Sequence, residues 1–110
     1  MEYVDVLKAL SDENRLKIMC ILSSGTPCVC HLESTLEISQ SSTSKHLQRL
    51  KAVGLIESDK KGQWVHYTIP DTLYDTYPFI KVLLESLLAD GRYQNLIKDC
   101  QAYQQGEETC

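Results

Sequence analysis

Two thiols stand two residues apart in Cys28-Val29-Cys30-His31-Leu32, the most reactive constellation of the chain. Thiolates are soft ligands, suited to thiophilic metals and metalloids. A trivalent arsenic or antimony centre forms three bonds and keeps a lone pair, so it fits a compact pyramid of three thiolates. The pair falls at a predicted helix start, where the positive end of the helix dipole favours thiolate. A capped polar segment follows, Ser39-Gln40-Ser41-Ser42-Thr43-Ser44-Lys45-His46-Leu47, with the pattern of a DNA recognition helix. Ligand-binding thiols beside a DNA reader suggest a switch in which ligand on the thiols takes DNA off the helix.

The spacing predicts a mechanical consequence. At about 100° per residue, side chains at i and i+2 point about 200° apart on a regular helix. Two such thiols reach one ion only if the first turn unwinds, so loading is expected to distort the start of this helix and, through it, the helix that reads DNA.

The elements that must position these residues are legible in the patterning. Tyr3, Val6, Leu7 and Leu10 recur at helical intervals. Ser11 is the expected N-cap of a second helix, whose apolar stripe is Leu16, Met19 and Cys20. Thr26-Pro27 is the expected cap and first residue of a third, short helix carrying Cys28, Leu32 and Leu36 on one face and ending near Glu37. Ser39 caps a fourth, with Thr43, Leu47 and Leu50 inward and Gly54 as its left-handed stop. A hairpin follows, from Leu55-Ile56-Glu57-Ser58 through the turn Asp59-Lys60-Lys61-Gly62 to an alternating strand over Gln63–Ile69. Phe79–Leu88, entered through Pro78, is predicted helical. The last helix carries Tyr93, Leu96, Ile97, Cys100 and Tyr103 on one stripe. The expected fold is mainly α with a β-hairpin wing, in the order α-α-α-α-β-β-α-α: a winged helix-turn-helix. Residues 1–104 are expected to form one DNA-binding and dimerisation domain, with 105–110 a flexible tail.

Composition agrees with this and excludes other classes. The 110 residues fit one domain, and the five cysteines form an irregular odd set, which points to metal or redox chemistry over a disulfide framework. Net charge is −4, yet residues 41–70 hold five Lys and Arg against two Asp and Glu, a basic edge on an acidic body. No stretch approaches the roughly 18 apolar residues of a membrane span, and the acidic start Met1-Glu2-Tyr3-Val4-Asp5 is unlike a secretory signal. A cytoplasmic protein with reduced thiols is expected. No βαβ scaffold accompanies the thiol pair, and neither a glycine-rich phosphate loop nor a Ser/His/Asp set in context occurs, so an enzyme is not expected.

With Leu10-Ser11-Asp12-Glu13-Asn14-Arg15-Leu16-Lys17-Ile18, the thiol pentapeptide, the Ser39–Leu47 segment and Gly54-Leu55-Ile56 in this order, the chain resembles the arsenic-responsive ArsR/SmtB repressors over roughly residues 3–103. The resemblance implies a homodimer through the first and last helices that represses from an inverted-repeat operator and leaves double-stranded DNA when a metal or metalloid binds. As(III) or Sb(III) is the implied inducer, with no organic cofactor. It implies base contacts from Gln40, Ser41, Ser44 and Lys45, although relatives often have histidine where Lys45 stands. His46, Arg49 and Lys51 are then backbone contacts or solvated charges, and Lys60, Lys61 and Gln63 form the wing tip that reaches phosphates or the minor groove. Trp64 can flank the wing, with a packed aromatic as the favoured role.

Cys28 and Cys30 are the implied ligands. Arsenic sensors with this motif often place a third cysteine three residues after the second, where this chain has Glu33. Cys100, Cys110 or an external thiol are the substitutes, with Cys100 also readable as a small buried hydrophobe. Cys20 is expected in the core. His31 is expected to face solvent or to be hydrogen-bonded. The alternatives within the fold are a cadmium/lead sensor or a persulfide- or disulfide-responsive thiol sensor. Zinc, nickel or cobalt sites between the last helices need histidine, and His31, His46 and His66 all precede that region.

Overall fold

The four residues Asp12 to Arg15 organise the first half of the molecule. In a computed structural model describing residues 2–106, α1 spans Tyr3–Leu10 and α2 spans Glu13–Leu22. The cap of α2 is Asp12 and not the expected Ser11: the Asp12 carboxylate accepts from the Arg15 backbone N–H at 3.1 Å. The Ser11 hydroxyl instead donates back to the Lys8 carbonyl, closing α1. The Arg15 guanidinium closes it further, donating from Nε to the Ala9 carbonyl at 2.6 Å.

Burial raises the Asp12 carboxyl's affinity for its proton, but the Arg15 N–H, the Arg15 charge and His46 together outweigh it and hold the group below the ordinary aspartate range. A carboxyl lowered in the folded state stabilises above its unfolded pKa of about 3.9, and that contribution disappears as pH falls through the folded value. Asp12→Ala is expected to lower stability by about 1 kcal/mol at neutral pH, roughly the worth of an N-cap. That is a melting-temperature drop of about 5 °C, and the gap from wild type should narrow below pH 4 in a thermal-melt series.

Helix α2 runs through the centre: Ile18, Met19, Cys20, Ile21 and Leu22 are all buried. Around it pack Leu32 of α3 (Val29–Leu36), Leu47 and Leu50 of α4 (Gln40–Ala52), and the loop residues Leu55 and Ile56. Ser39 caps α4 as expected, accepting from the Ser42 N–H at 3.1 Å. Gly54, at φ +80, supplies the left-handed stop that a side chain would strain.

The hairpin starts later and turns more tightly than expected, and Leu55, Ile56, Gln63 and Ile69 lie outside its strands. Strands β1 (Glu57–Lys61) and β2 (Trp64–Thr68) pair antiparallel from Glu57 opposite Thr68 to Lys61 opposite Trp64. Asp59, Lys60 and Lys61 therefore belong to the strand, and the turn is Gly62-Gln63. Gly62, at φ +63, accounts for this, since two-residue hairpin turns need a positive φ.

A single-turn helix, α5 (Leu73–Thr76), was not expected; it leads into α6 (Pro78–Leu88), with Pro78 in its first turn, and α7 (Gly91–Gly106). Tyr3, Tyr77 and Phe79 meet edge-on or tilted at 5.4–6.4 Å and fasten α1 to the start of α6. Helix α7 extends into the segment expected as a tail, and 107–110, with Cys110, lie outside the described residues. Among the described residues no helix is long and apolar enough to cross a membrane.

Candidate functional site

Cys28 is not inside a helix. It is the N-cap of α3, extended at φ −73 and ψ 159, so α3 begins two residues later than the expected Pro27 start. Two features hold it there. Its main chain forms an isolated antiparallel bridge with His66 of β2, and its N–H donates to the His31 Nδ1 at 3.2 Å. Pro27 beneath it is fully buried. The expected unwinding of a first turn is corrected accordingly: Cys28 already lies outside the helix, and the constraint on its thiol is the bridge to the wing.

Cys28, Cys30 and Glu33 of the α3 segment line one groove of about 250 Å³, closed by Gln40 at the start of α4 and by Trp64 and Val65 of β2. Trp64 is 41% exposed, a groove wall at the base of the wing: of its two expected roles, flanking the wing is the one observed. Cys20, Cys28 and Cys100 are free thiols, and ligation through both Cys28 and Cys30 belongs to the reduced chain. Cys20 is in the core, as expected, and burial pushes its thiol pKa up. Cys100 is buried on α7 outside the thiol groove; burial raises its pKa, against a hydrogen bond with Thr35 of α3 that lowers it. Thr35 lies about 7.5 Å along the helix axis from Cys30 at 1.5 Å per residue. Among the described residues no group of three His, Cys, Asp or Glu side chains is assembled to hold a metal ion.

His31 is buried, and its Nδ1 accepts from Cys28, so the ring proton of the neutral imidazole belongs on Nε2. That atom has no partner. Its desolvation is a local cost of holding the Cys28 cap in place.

The polar face of α4 is built by its buried one. Thr43, Leu47 and Leu50 point into the core, which turns Ser41, Ser44, Lys45 and Gln48 outward. Gln48 is exposed at the middle of this face; its four-residue spacing from Ser44 was the signal that the sequence reading passed over. Gln40 stands at the edge of the face nearest the thiol groove. Arg49 is exposed. His46 is turned inward, its Nδ1 3.3 Å from Arg15 Nη1 and 3.9 Å from the Asp12 carboxylate. Arg15 has only donors, so Nδ1 is the acceptor in that contact. Lys51 Nζ donates to the Ser58 hydroxyl at 2.8 Å, tying the end of α4 to β1. Lys60, Lys61 and Gln63 are exposed at the wing tip, with Lys61 3.9 Å from Asp59.

A recognition helix presented by a helix-turn-helix and flanked by a two-stranded wing is a DNA-binding architecture. The sequence profile described as bacterial regulatory protein, arsR family, matches residues 12–58. Reduced HlyU from Vibrio cholerae superposes with a TM-score of 0.66 at 38% identity, covering 78% of this chain and 84% of that one. The chain belongs to the ArsR family. The family is one of bacterial regulatory proteins, and the winged-helix fold of this chain is the one its structural relatives share. The chain is 43% identical over 67 residues to the arsenical resistance operon repressor of Escherichia coli, covering 60% of this chain and 57% of that one. It is 40% identical over 72 residues to a cadmium resistance regulatory protein, the CadC homolog of Staphylococcus aureus, covering 64% of this chain and 60% of that one. The chain thus spans about three fifths of the length of these two relatives. Their names divide between arsenic and cadmium, so family membership leaves the ligand of this ArsR-family chain open.

Proposed function

We propose that this chain is a cytoplasmic, homodimeric repressor that binds an inverted-repeat operator and releases it when As(III) or Sb(III) is bound by Cys28 and Cys30. The observation carrying this reading is that both thiol-bearing residues share one groove with Gln40, the first residue of the recognition helix. Gln40, Ser41, Ser44 and Lys45 read bases from the major groove, with Arg49 towards the backbone and Lys60, Lys61 and Gln63 on phosphates, while His46, turned inward onto Arg15 and Asp12, is left out of the contact set.

The chemistry balances without electron transfer. Arsenite enters as As(OH)₃; each thiol forms an As–S bond, and its proton leaves with a displaced hydroxide as water. Two thiols leave one hydroxyl on arsenic, which an external thiol or Cys110 can replace. Cys100 stays in the core. Dimerisation is supported by Tyr3, Val4 and Leu7, apolar and more than half exposed on α1. A dimer axis places two recognition helices on half-sites one helical turn apart.

Glu33 in the groove favours a second reading, because a carboxylate oxygen beside two thiolates suits cadmium or lead better than arsenic. Two cysteines, Cys28 and Cys30, on one groove suit a third, a thiol-redox sensor. Fluorescence anisotropy of a labelled promoter duplex with phosphine-reduced protein separates the three. Arsenite is expected to weaken binding by roughly 5- to 150-fold, the usual span of allosteric coupling. Release by cadmium alone, or by oxidant alone, would replace the arsenite assignment.

A further inference from the structure

We propose that the wing is a moving part of the thiol switch: ligand in the groove displaces Cys28 from its bridge to His66 and so releases β2, with Trp64 as the wing-side wall of the site. This inference rests on the metalloid reading above and extends it from the recognition helix to the second DNA-contacting element.

Three observations carry it. The Cys28 main chain lies alongside β2 as an isolated bridge to His66, so the residue that bears one ligand also abuts the wing sheet. The groove holding Cys28 and Cys30 has Trp64 and Val65 as one wall and Gln40 as another. A two-stranded sheet of five pairs is marginal alone, so the main-chain bridge from the residue preceding α3 matters to its order.

The direction of the effect follows from the constraint. Cys28 is fixed at an extended N-cap by His66 on one side and by the His31 Nδ1 acceptor on the other. Cys30 is in the first turn of α3. Bringing two sulfurs to bonding distance of one arsenic requires the segment to shift, and the bridge is its attachment outside the helix. The thiols exchange as before: each sulfur gains a bond to arsenic and each proton leaves in water. Loosened, the wing presents Lys60, Lys61 and Gln63 less rigidly at the moment Gln40 is also disturbed.

The test uses the full reduced chain and sodium arsenite. Trp64 is the chain's only tryptophan, so its emission reports on this wall alone. Expected are a saturable change in emission with the same midpoint as operator release, and amide exchange over 64–68 roughly tenfold faster, the size of one lost main-chain pairing. Cys28→Ser is expected to remove both responses. Operator release with unchanged emission and unchanged exchange over 64–68 would overturn the wing inference and leave the metalloid reading standing. Neither release nor any wing response with arsenite would overturn both. A wing response that persists in Cys28→Ser would also overturn the inference, since it would arise without the ligand that is meant to break the bridge.

Discussion

Arsenite is expected to leave the operator complex of a Cys28→Ser, Cys30→Ser double variant intact, at concentrations that weaken the wild-type complex by about one to two orders of magnitude. The variant isolates the chemistry because its fold should be preserved. Serine is a better N-cap than cysteine, so position 28 keeps its extended conformation and its N–H to His31. Position 30 is half-buried in the first turn, where an oxygen replaces a sulfur with little change in packing. Basal operator affinity, melting temperature and arsenite titration should be measured together. Retained release in the double variant would remove the thiol pair from the mechanism. Cys100→Ser is the companion: Cys100 is buried against Thr35 and outside the groove, so this variant should still release.

The largest stability effect is expected at Leu47. It is 1% exposed, on the inward face of α4 and within the cluster that includes Ile18, Leu32 and Leu50. Leu47→Ala removes three carbons from a packed interior and is expected to cost roughly 2–5 kcal/mol, about 3.5 at the centre of that range. For a domain of this size the melting temperature should fall by about 15 °C. Lys45→Ala, two residues away on the exposed face, should move stability by less than about 0.5 kcal/mol while weakening operator binding. A Leu47→Ala melt within 5 °C of wild type would mean that α4 is not anchored by this contact.

Most of the framework was readable from residue patterns because it depends on local signals. Ser39, Gly54 and Pro78 mark element boundaries through backbone chemistry, and Thr43, Leu47 and Leu50 repeat on one helical face. The misplacements have a common origin in contacts distant in sequence. Pro27 is a good first helical residue in isolation, yet tertiary packing buries it and the pairing of Cys28 with His66, 38 positions away, keeps Cys28 extended. Asp12 outcompetes Ser11 because Arg15 and His46 favour its charge. The groove that joins Cys28 and Cys30 to Gln40 and Trp64 needed three elements in space, and periodicity along one of them could not predict it. His46 was read as outward-facing because nothing in its own helix shows that Arg15 and Asp12 of the preceding segment engage its ring.

The joint between α3 and α4 is made by Glu37, at φ 56 and ψ 44, a left-handed position usually filled by glycine or asparagine. A side chain there costs about 1 kcal/mol of steric strain, and in return the joint has far fewer backbone states than a glycine would allow. The connection between α3 and α4, the proposed recognition helix, is therefore a stiff elbow and not a loose hinge. A rotation imposed at one end of α3 is not absorbed at the bend; it arrives at α4 as torque.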